Sequence, residues 1–478
     1  MSKTSKGKEL AKNTFIILVG KICTQFLSFF LLPLYLSVLE TSEFGIVDLA
    51  TTYVTLLAPC ITLQLEQAAF RFLVDVRKDK KGTKEIISNI FAAILFLSAV
   101  TLLIIKIVSL FIHIPYIDLL LVLIFMTIVS GICLQIARGV GDNLGYSIGG
   151  FLAGGSTILF NILFLVVIPL GPAGFFLSSI IANAICSVFI FFRCGLVSYI
   201  GFKDISKNRI FELLRYSIPM VPNSIIWWVI NASDRTIITI FLNVSINGVY
   251  AVSQKFSSAI MTAFLVFNTS WTESASLYLK DDDKDSFITK TFSKMLRFFS
   301  CLCLGVIGCV PLVFSLLVKD EYIDAYDFIP ALVISCVFNM GSSMLGAIYV
   351  ALKKTKEIAF TSILAGIINV AVNLLCIKSW GLHAASISTL IAFLVLFIFR
   401  FFGIQKHVRI RLNTLCVIFL IIAFSITTFL YYFNSFVGNI INLIFVIVFS
   451  ALLNINFIKE LLTQKLFLRN SKSNVRKS

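Results

Sequence analysis

Four cationic side chains, Lys21, Arg235, Lys255 and Arg71, stand inside or against long apolar runs of this sequence. A charge at the centre of a hydrocarbon layer costs about 2.5–3.5 kcal/mol on insertion scales, so such residues face protein or water and mark function by default. Lys21 lies some eight residues into the first apolar run, roughly 12 Å deep at about 1.5 Å per residue. Lys21, Gln25 and Ser28 follow a helical i, i+4, i+7 spacing and make one polar stripe. The alternative is a lysine snorkelling to the interface; the stripe and the depth favour a wet cavity. Asn223, Trp227, Asn231 and Asp234 share a second helical face, with Arg235 directly after it. Pro219 and Pro222 open that helix and distort it, because proline removes a backbone donor and crowds the preceding turn. Lys255, Ser258 and Thr262 share a third face. Gln64, Gln67 and Arg71 share a fourth, with Glu66 beside them; Arg71 reads equally as an ordinary cytoplasmic-side cation. A cationic chamber of this kind attracts an anion such as a phosphate or pyrophosphate, which arginine binds in bidentate fashion. Asp234 and Glu66 are the acidic members of these faces.

Other chemistry is excluded. Gly20–Lys21 is not a phosphate-binding loop, since Phe15 stands where glycine is required and Ile22 where serine or threonine is. The acidic run at Asp281, Asp282, Asp283 and Asp285 lacks the glycine and the final glutamate of a calcium loop, with Ser286 and Phe292 in those places. No nucleophile–histidine pairing or metalloprotease motif is visible. The eleven cysteines and three histidines have no metal-site spacing. No enzymatic activity, metal or cofactor is therefore expected.

The elements that must position these charges are set by composition. Of the 478 residues 58% are hydrophobic and only 13% charged, with 47 phenylalanines; soluble domains average about 25% charged. Such a chain needs lipid as its solvent. The expected fold is an all-α polytopic membrane protein of about fourteen spans, over residues 13–38, 44–70, 86–110, 117–138, 145–168, 174–198, 216–242, 248–272, 293–318, 328–352, 358–378, 383–403, 413–433 and 439–458. The net charge of +16 lies mostly in alternate connections, which topology explains without a nucleic-acid partner. The other connections hold only Lys319 and Lys378, so both termini are expected in the cytoplasm.

Two segment pairs suggest an internal repeat. YLSVLETSEFGIVDLA resembles FLNVSINGVYAVSQK, pairing Gly45 with Gly248, and a later pair matches Gly174 with Gly381. The offsets are 203 and 207 residues. The expected organisation is an N-terminal six-helix lobe (1–198), a cytoplasmic linker (199–215), a C-terminal six-helix lobe (216–403), two additional helices (413–458) and a basic tail (459–478). An even helix number makes the copies parallel, related by an axis along the membrane normal, with substrate carried between them.

The opening KNTFIILVGKICTQFLSFFLLPLYLSVLETSEFGIVDLA, the segment EQAAFRF and YSIPMVPNSIIWWVINASDRTIITIFLNVSINGVYAVSQK resemble helices 1, 2, 7 and 8 of bacterial polysaccharide flippases. These form the O-antigen/capsule branch of the multidrug/oligosaccharidyl-lipid/polysaccharide exporter superfamily. The resemblance covers roughly residues 8–400 and implies a cargo: an oligosaccharide repeat unit on undecaprenyl diphosphate, flipped to the outer leaflet of the bacterial inner membrane. It further implies that Lys21, Arg235 and Lys255 line the cavity, that a proton or sodium gradient drives transport with Asp234 and Glu66 as the acidic candidates for coupling, and that membrane lipids and the glycan polymerisation machinery are partners. Competing readings are a drug/cation antiporter of the same superfamily, against which Lys21 argues, and a peptidoglycan-precursor flippase. A membrane-embedded glycan polymerase needs a large external loop, and every external connection here is short.

Overall fold

The computed structural model describes residues 31–278, 283–352 and 354–455. Lys21 and Gln25, most of the first expected span, Asp281, Asp282 and the basic tail lie outside the described residues. The described chain is helical without strands, and it is a polytopic membrane protein. Twelve of its helices are long and apolar enough to cross a bilayer. Of the remaining expected spans, the first is described only from residue 31, and the seventh is diluted by Asn223, Ser224, Asn231, Asp234 and Arg235. Large apolar side chains cover the outside: Phe111 is 85% exposed and Leu375 80%. Only a lipid solvent makes that surface stable.

In chain order the helices are α1 Leu32–Val38, α2 Thr41–Ile61, α3 Leu65–Asp75, α4 Lys80–Ser109, α5 Ile117–Val140, α6 Asn143–Asn161, α7 Pro172–Arg193, α8 Lys207–Ser217, α9 Val221–Phe241, α10 Val244–Tyr278, α11 Lys284–Leu317, α12 Ile329–Ala351, α13 Thr355–Trp380, α14 Leu382–Ile404, α15 Thr414–Phe433 and α16 Phe436–Leu453. Local chemistry fixes many of the ends. Glu40 and Glu43 form a reciprocal capping box at the start of α2. Asp79 caps α4, Asp142 caps α6, Asn413 caps α15 and Ser435 caps α16 through backbone N–H groups. Gly141 ends α5 at φ +100°, a left-handed conformation that glycine adopts without strain.

One expectation is corrected. Residues 44–70 are not one helix: α2 stops at Ile61 and α3 starts at Leu65. Pro59 removes a backbone donor in the last turn of α2. Leu63 and Gln64 then take left-handed φ values of 51° and 61°, and the Gln64 N–H closes the turn on the Pro59 carbonyl at 3.1 Å. The prolines before α9 act as expected. Ile218–Met220 form a 3₁₀ turn and Pro222 sits in the first turn of α9. The segment 199–215 is more ordered than a polar connection, since α8 occupies its second half.

The described residues pack as two compact bodies. The first holds residues 31–252, 321–323 and 373–382. Its centre is α3, where Leu65, Ala68, Ala69 and Leu73 are fully buried. Gly139 lets α5 approach: a Cβ there would stand 2.8 Å from the Leu73 Cβ. Arg77 closes that end of α5, donating to the carbonyls of Gly139 at 2.7 Å and Arg138 at 3.1 Å. Ser88 and Asn89 on α4 gather the chain after α7. Ser88 donates to the Tyr199 carbonyl and accepts from the Gly201 N–H, while Asn89 donates to the Asp204 carbonyl and accepts from the Ser206 N–H.

The second body holds residues 253–320, 324–372 and 383–455, apart from the undescribed positions. Leu304, Ala423 and Val446 join α11, α15 and α16, with Leu420, Phe424, Phe445 and Phe449 packed around them. Tyr326 and Tyr431 each donate a hydroxyl to the other's backbone carbonyl, at 2.9 and 2.7 Å. Their rings stack at 4.1 Å. The helix pair α15–α16 is thereby tied to this body by both apolar burial and a reciprocal polar clasp.

Candidate functional site

Helix α9 carries the polar stripe read from the sequence. Asn223 and Asn231 are exposed, and Asn231 donates to the Trp227 carbonyl at 2.8 Å. Towards its C-terminal end the same helix is covered. Asp234 is only 2% exposed and accepts from the Tyr250 hydroxyl at 3.1 Å and the Asn373 amide at 2.9 Å. Those two donors sit on α10 and α13 and solvate the carboxylate in place of water.

Arg235 faces the other way, onto α2. Its Nε donates to Asp48 at 2.6 Å and its Nη1 to the Asn231 carbonyl at 3.2 Å. The Arg235 side chain is 14% exposed and that of Asp48 8%. At this burial the attraction is poorly screened, and removing one partner costs about 3–5 kcal/mol because the other charge is stranded. Trp228 and Thr236 extend the α2–α9 contact: the Trp228 indole donates to the Thr52 carbonyl at 3.0 Å, and Thr236 shares a hydrogen bond with Tyr53 at 3.0 Å. Further along, the Gln64 amide donates to Ser224 at 2.7 Å. The residue that breaks α2 from α3 is thus also bonded to the start of α9.

The remaining described candidates lie on other helices. Arg71, on α3, is half exposed and paired with Asp75 one turn away at 2.5 Å. Glu66, in the first turn of α3, accepts from the Thr62 hydroxyl at 2.7 Å. Lys255 is half-buried on α10 in the second body. Asp234 and Arg235 are neighbours on α9 and bond to different partners, Asp234 to Tyr250 and Asn373 and Arg235 to Asp48.

Asp48 was missed by sequence reasoning. A lone carboxylate between Val47 and Leu49 in an apolar helix carries the same signal as Arg235. Arg400 was also missed. It is 1% exposed on α14 and donates to Thr361 at 3.2 Å, the Ser342 carbonyl at 3.0 Å and Ser362 at 2.9 Å. Gly346 makes its space, since a Cβ there would meet the guanidinium at 2.9 Å.

Residues 10–272, more than half of the chain, match the family model described as polysaccharide biosynthesis protein. No curated protein matches the sequence. Several solved structures share the fold. An inward-facing multidrug resistance MATE family transporter of the MOP superfamily is 14% identical, with a TM-score of 0.65 over 82% of this chain and 95% of that one. An outward-facing MATE family transporter gives 15%, 0.58, 83% and 95%. A MOP superfamily transporter from Pyrococcus furiosus, whose reverse binding-pocket polarity is said to suggest a different function, gives 16%, 0.59, 83% and 95%.

Proposed function

We propose that this chain, which belongs to the polysaccharide biosynthesis protein family, is a flippase for oligosaccharide repeat units linked to undecaprenyl diphosphate. It would work in the bacterial inner membrane with both termini in the cytoplasm, moving cargo from the cytoplasmic to the outer leaflet. The observation that carries the reading is a guanidinium, Arg235, sunk deep in an apolar bundle and already holding a carboxylate. That setting selects an anionic group presenting several acceptor oxygens, and a lipid diphosphate is such a group. The exposed amides of Asn223 and Asn231 on the same helix supply neutral hydrogen bonds of the kind a sugar needs. Lys21, Lys255 and Arg71 are the further cations assigned to the chamber, with Gln25 as polar lining. Two six-helix lobes, residues 1–198 and 216–403, would rock about that chamber. Asp234 is favoured over Glu66 for ion coupling because it is the more deeply buried carboxylate and touches the Arg235 helix turn directly.

The test is reconstitution with lipid-linked oligosaccharide. Lys21→Ala, Arg235→Ala and Lys255→Ala are expected to lose translocation by at least about tenfold, equivalent to roughly 1.4 kcal/mol of lost interaction, while staying folded. Wild-type translocation in all three variants overturns the cationic chamber. Efflux of cationic dyes without lipid movement replaces the reading by a drug antiporter.

A further inference from the structure

The two glycines matched by the sequence repeat meet in space. A Cβ on Gly45 would stand 2.0 Å from the Val244 carbonyl oxygen, and a Cβ on Gly248 would stand 2.1 Å from the Thr41 carbonyl oxygen. Each carbonyl lies four residues before the partner glycine, so the crossing of α2 and α10 is reciprocal. The obstructing atoms are backbone, and no side-chain rotation relieves them. The Asn247 amide bonds the Gly45 carbonyl across this contact at 3.1 Å. The Tyr322 hydroxyl bonds the Leu39 carbonyl at 2.9 Å, and its ring meets Phe44 edge-on at 6.0 Å. One turn further along α2 comes the Asp48–Arg235 pair. In the orientation proposed above, all of these lie at the outer end of the bundle, where they form one seam closed against α2.

We infer that this seam is the outer gate, and that Asp48 holds Arg235 in place of the cargo: the diphosphate takes Arg235 from Asp48 as the gate opens. This rests on the flippase reading. A carboxylate and a phosphate offer a guanidinium the same acceptor geometry, so one can replace the other. Opening the seam with an empty chamber parts two buried opposite charges and leaves Arg235 bare. An arriving anion removes that cost, because Arg235 exchanges one partner for another and Asp48 is released into an opening that admits water. After the anion departs, Asp48 and Arg235 pair again and draw α2 back to α9. The exchange keeps an unloaded protein closed on the outside, and it returns an emptied one to the loading state.

Spin labels on Ser42 and Ser245, in an otherwise cysteine-free protein in lipid nanodiscs, report the distance across the seam. Wild type is expected to show mainly the short distance. Asp48→Asn and Arg235→Gln are expected to raise the long-distance population severalfold, and Gly248→Ala to remove most of the short one. The exchanged double variant Asp48→Arg/Arg235→Asp is expected to restore the short distance, which a generally destabilised fold would not do. Undecaprenyl diphosphate added to wild type is expected to shift the distribution to the long distance. Wild-type distributions in both single variants overturn the gate. A gate that responds to Asp48→Asn but not to undecaprenyl diphosphate overturns the exchange. Seam distances that behave as expected in a protein moving no lipid-linked oligosaccharide keep the gate and remove the flippase reading instead.

Discussion

Arg400 and Arg235 are both guanidiniums inside an apolar bundle, yet their partners separate their roles. Arg235 holds a carboxylate contributed by another helix, whereas Arg400 spends its donors on two hydroxyls and one carbonyl. The planar fork reaches all three acceptors at once, and a lysine ammonium does not. Arg400→Lys is expected to lower stability by about 3–6 kcal/mol, from two lost charge-assisted hydrogen bonds, with the loss read by thermal unfolding in detergent. Arg71 is at the other extreme. Its charge is matched by Asp75 on the same helix and is half exposed, so Arg71→Ala should slow flipping far less than Arg235→Ala in the same assay. The sequence made Arg235 and Asp234 legible as intramembrane charges. It did not reveal that Arg235 belongs to Asp48, because that pairing joins residues 187 apart and depends on how two helices cross.

Helix starts fall where a side chain supplies the missing partner, as at Asp79, where α4 begins at Lys80 rather than at the expected 86, and at Asp142. That carboxylate accepts from the Gly145 N–H at 2.8 Å and pairs with Arg193 at 2.6 Å, joining the start of α6 to the end of α7. Partial burial pushes the Asp142 carboxyl up, but the Arg193 and Gly145 hydrogen bonds and the Arg193 charge outweigh it and hold it below the usual value of 3.8. A lowered value means the contribution to stability is present above the unfolded-state pKa and is lost as pH falls through the folded-state one. Asp142→Asn is therefore expected to destabilise the protein at neutral pH and to flatten the acid side of its stability profile below about pH 4. Thermal melts across pH check both. The break between α2 and α3 was not legible. Leu63 and Gln64 carry no signature of positive φ, which usually falls to glycine or asparagine, and Pro59 alone leaves a kinked helix as an equal outcome. Tertiary bonds settle the matter, among them Gln64 to Ser224.

Among the described residues, twelve of the fourteen expected spans coincide with helices long and apolar enough to cross a bilayer, because lipid requires long apolar stretches and a helix that satisfies its own backbone. The orientation proposed from Lys and Arg is open to a direct check. Reporters that are active only outside the cytoplasm should stay silent when fused after Lys81 or at the C-terminus, and should become active when inserted between Phe433 and Phe436. The jointed α2–α3 element bears on how such a molecule behaves as a machine. A rigid rod running the full depth of the bundle would act as a seesaw, so that shutting one door forces the other ajar. At Leu63–Gln64 a turn, rather than continuous helix, joins the half clasped to α10 and the half bedded on α5. In the gating proposed above, both doors would then be shut in the same instant, and a bulky passenger would pass through an airlock rather than an open corridor.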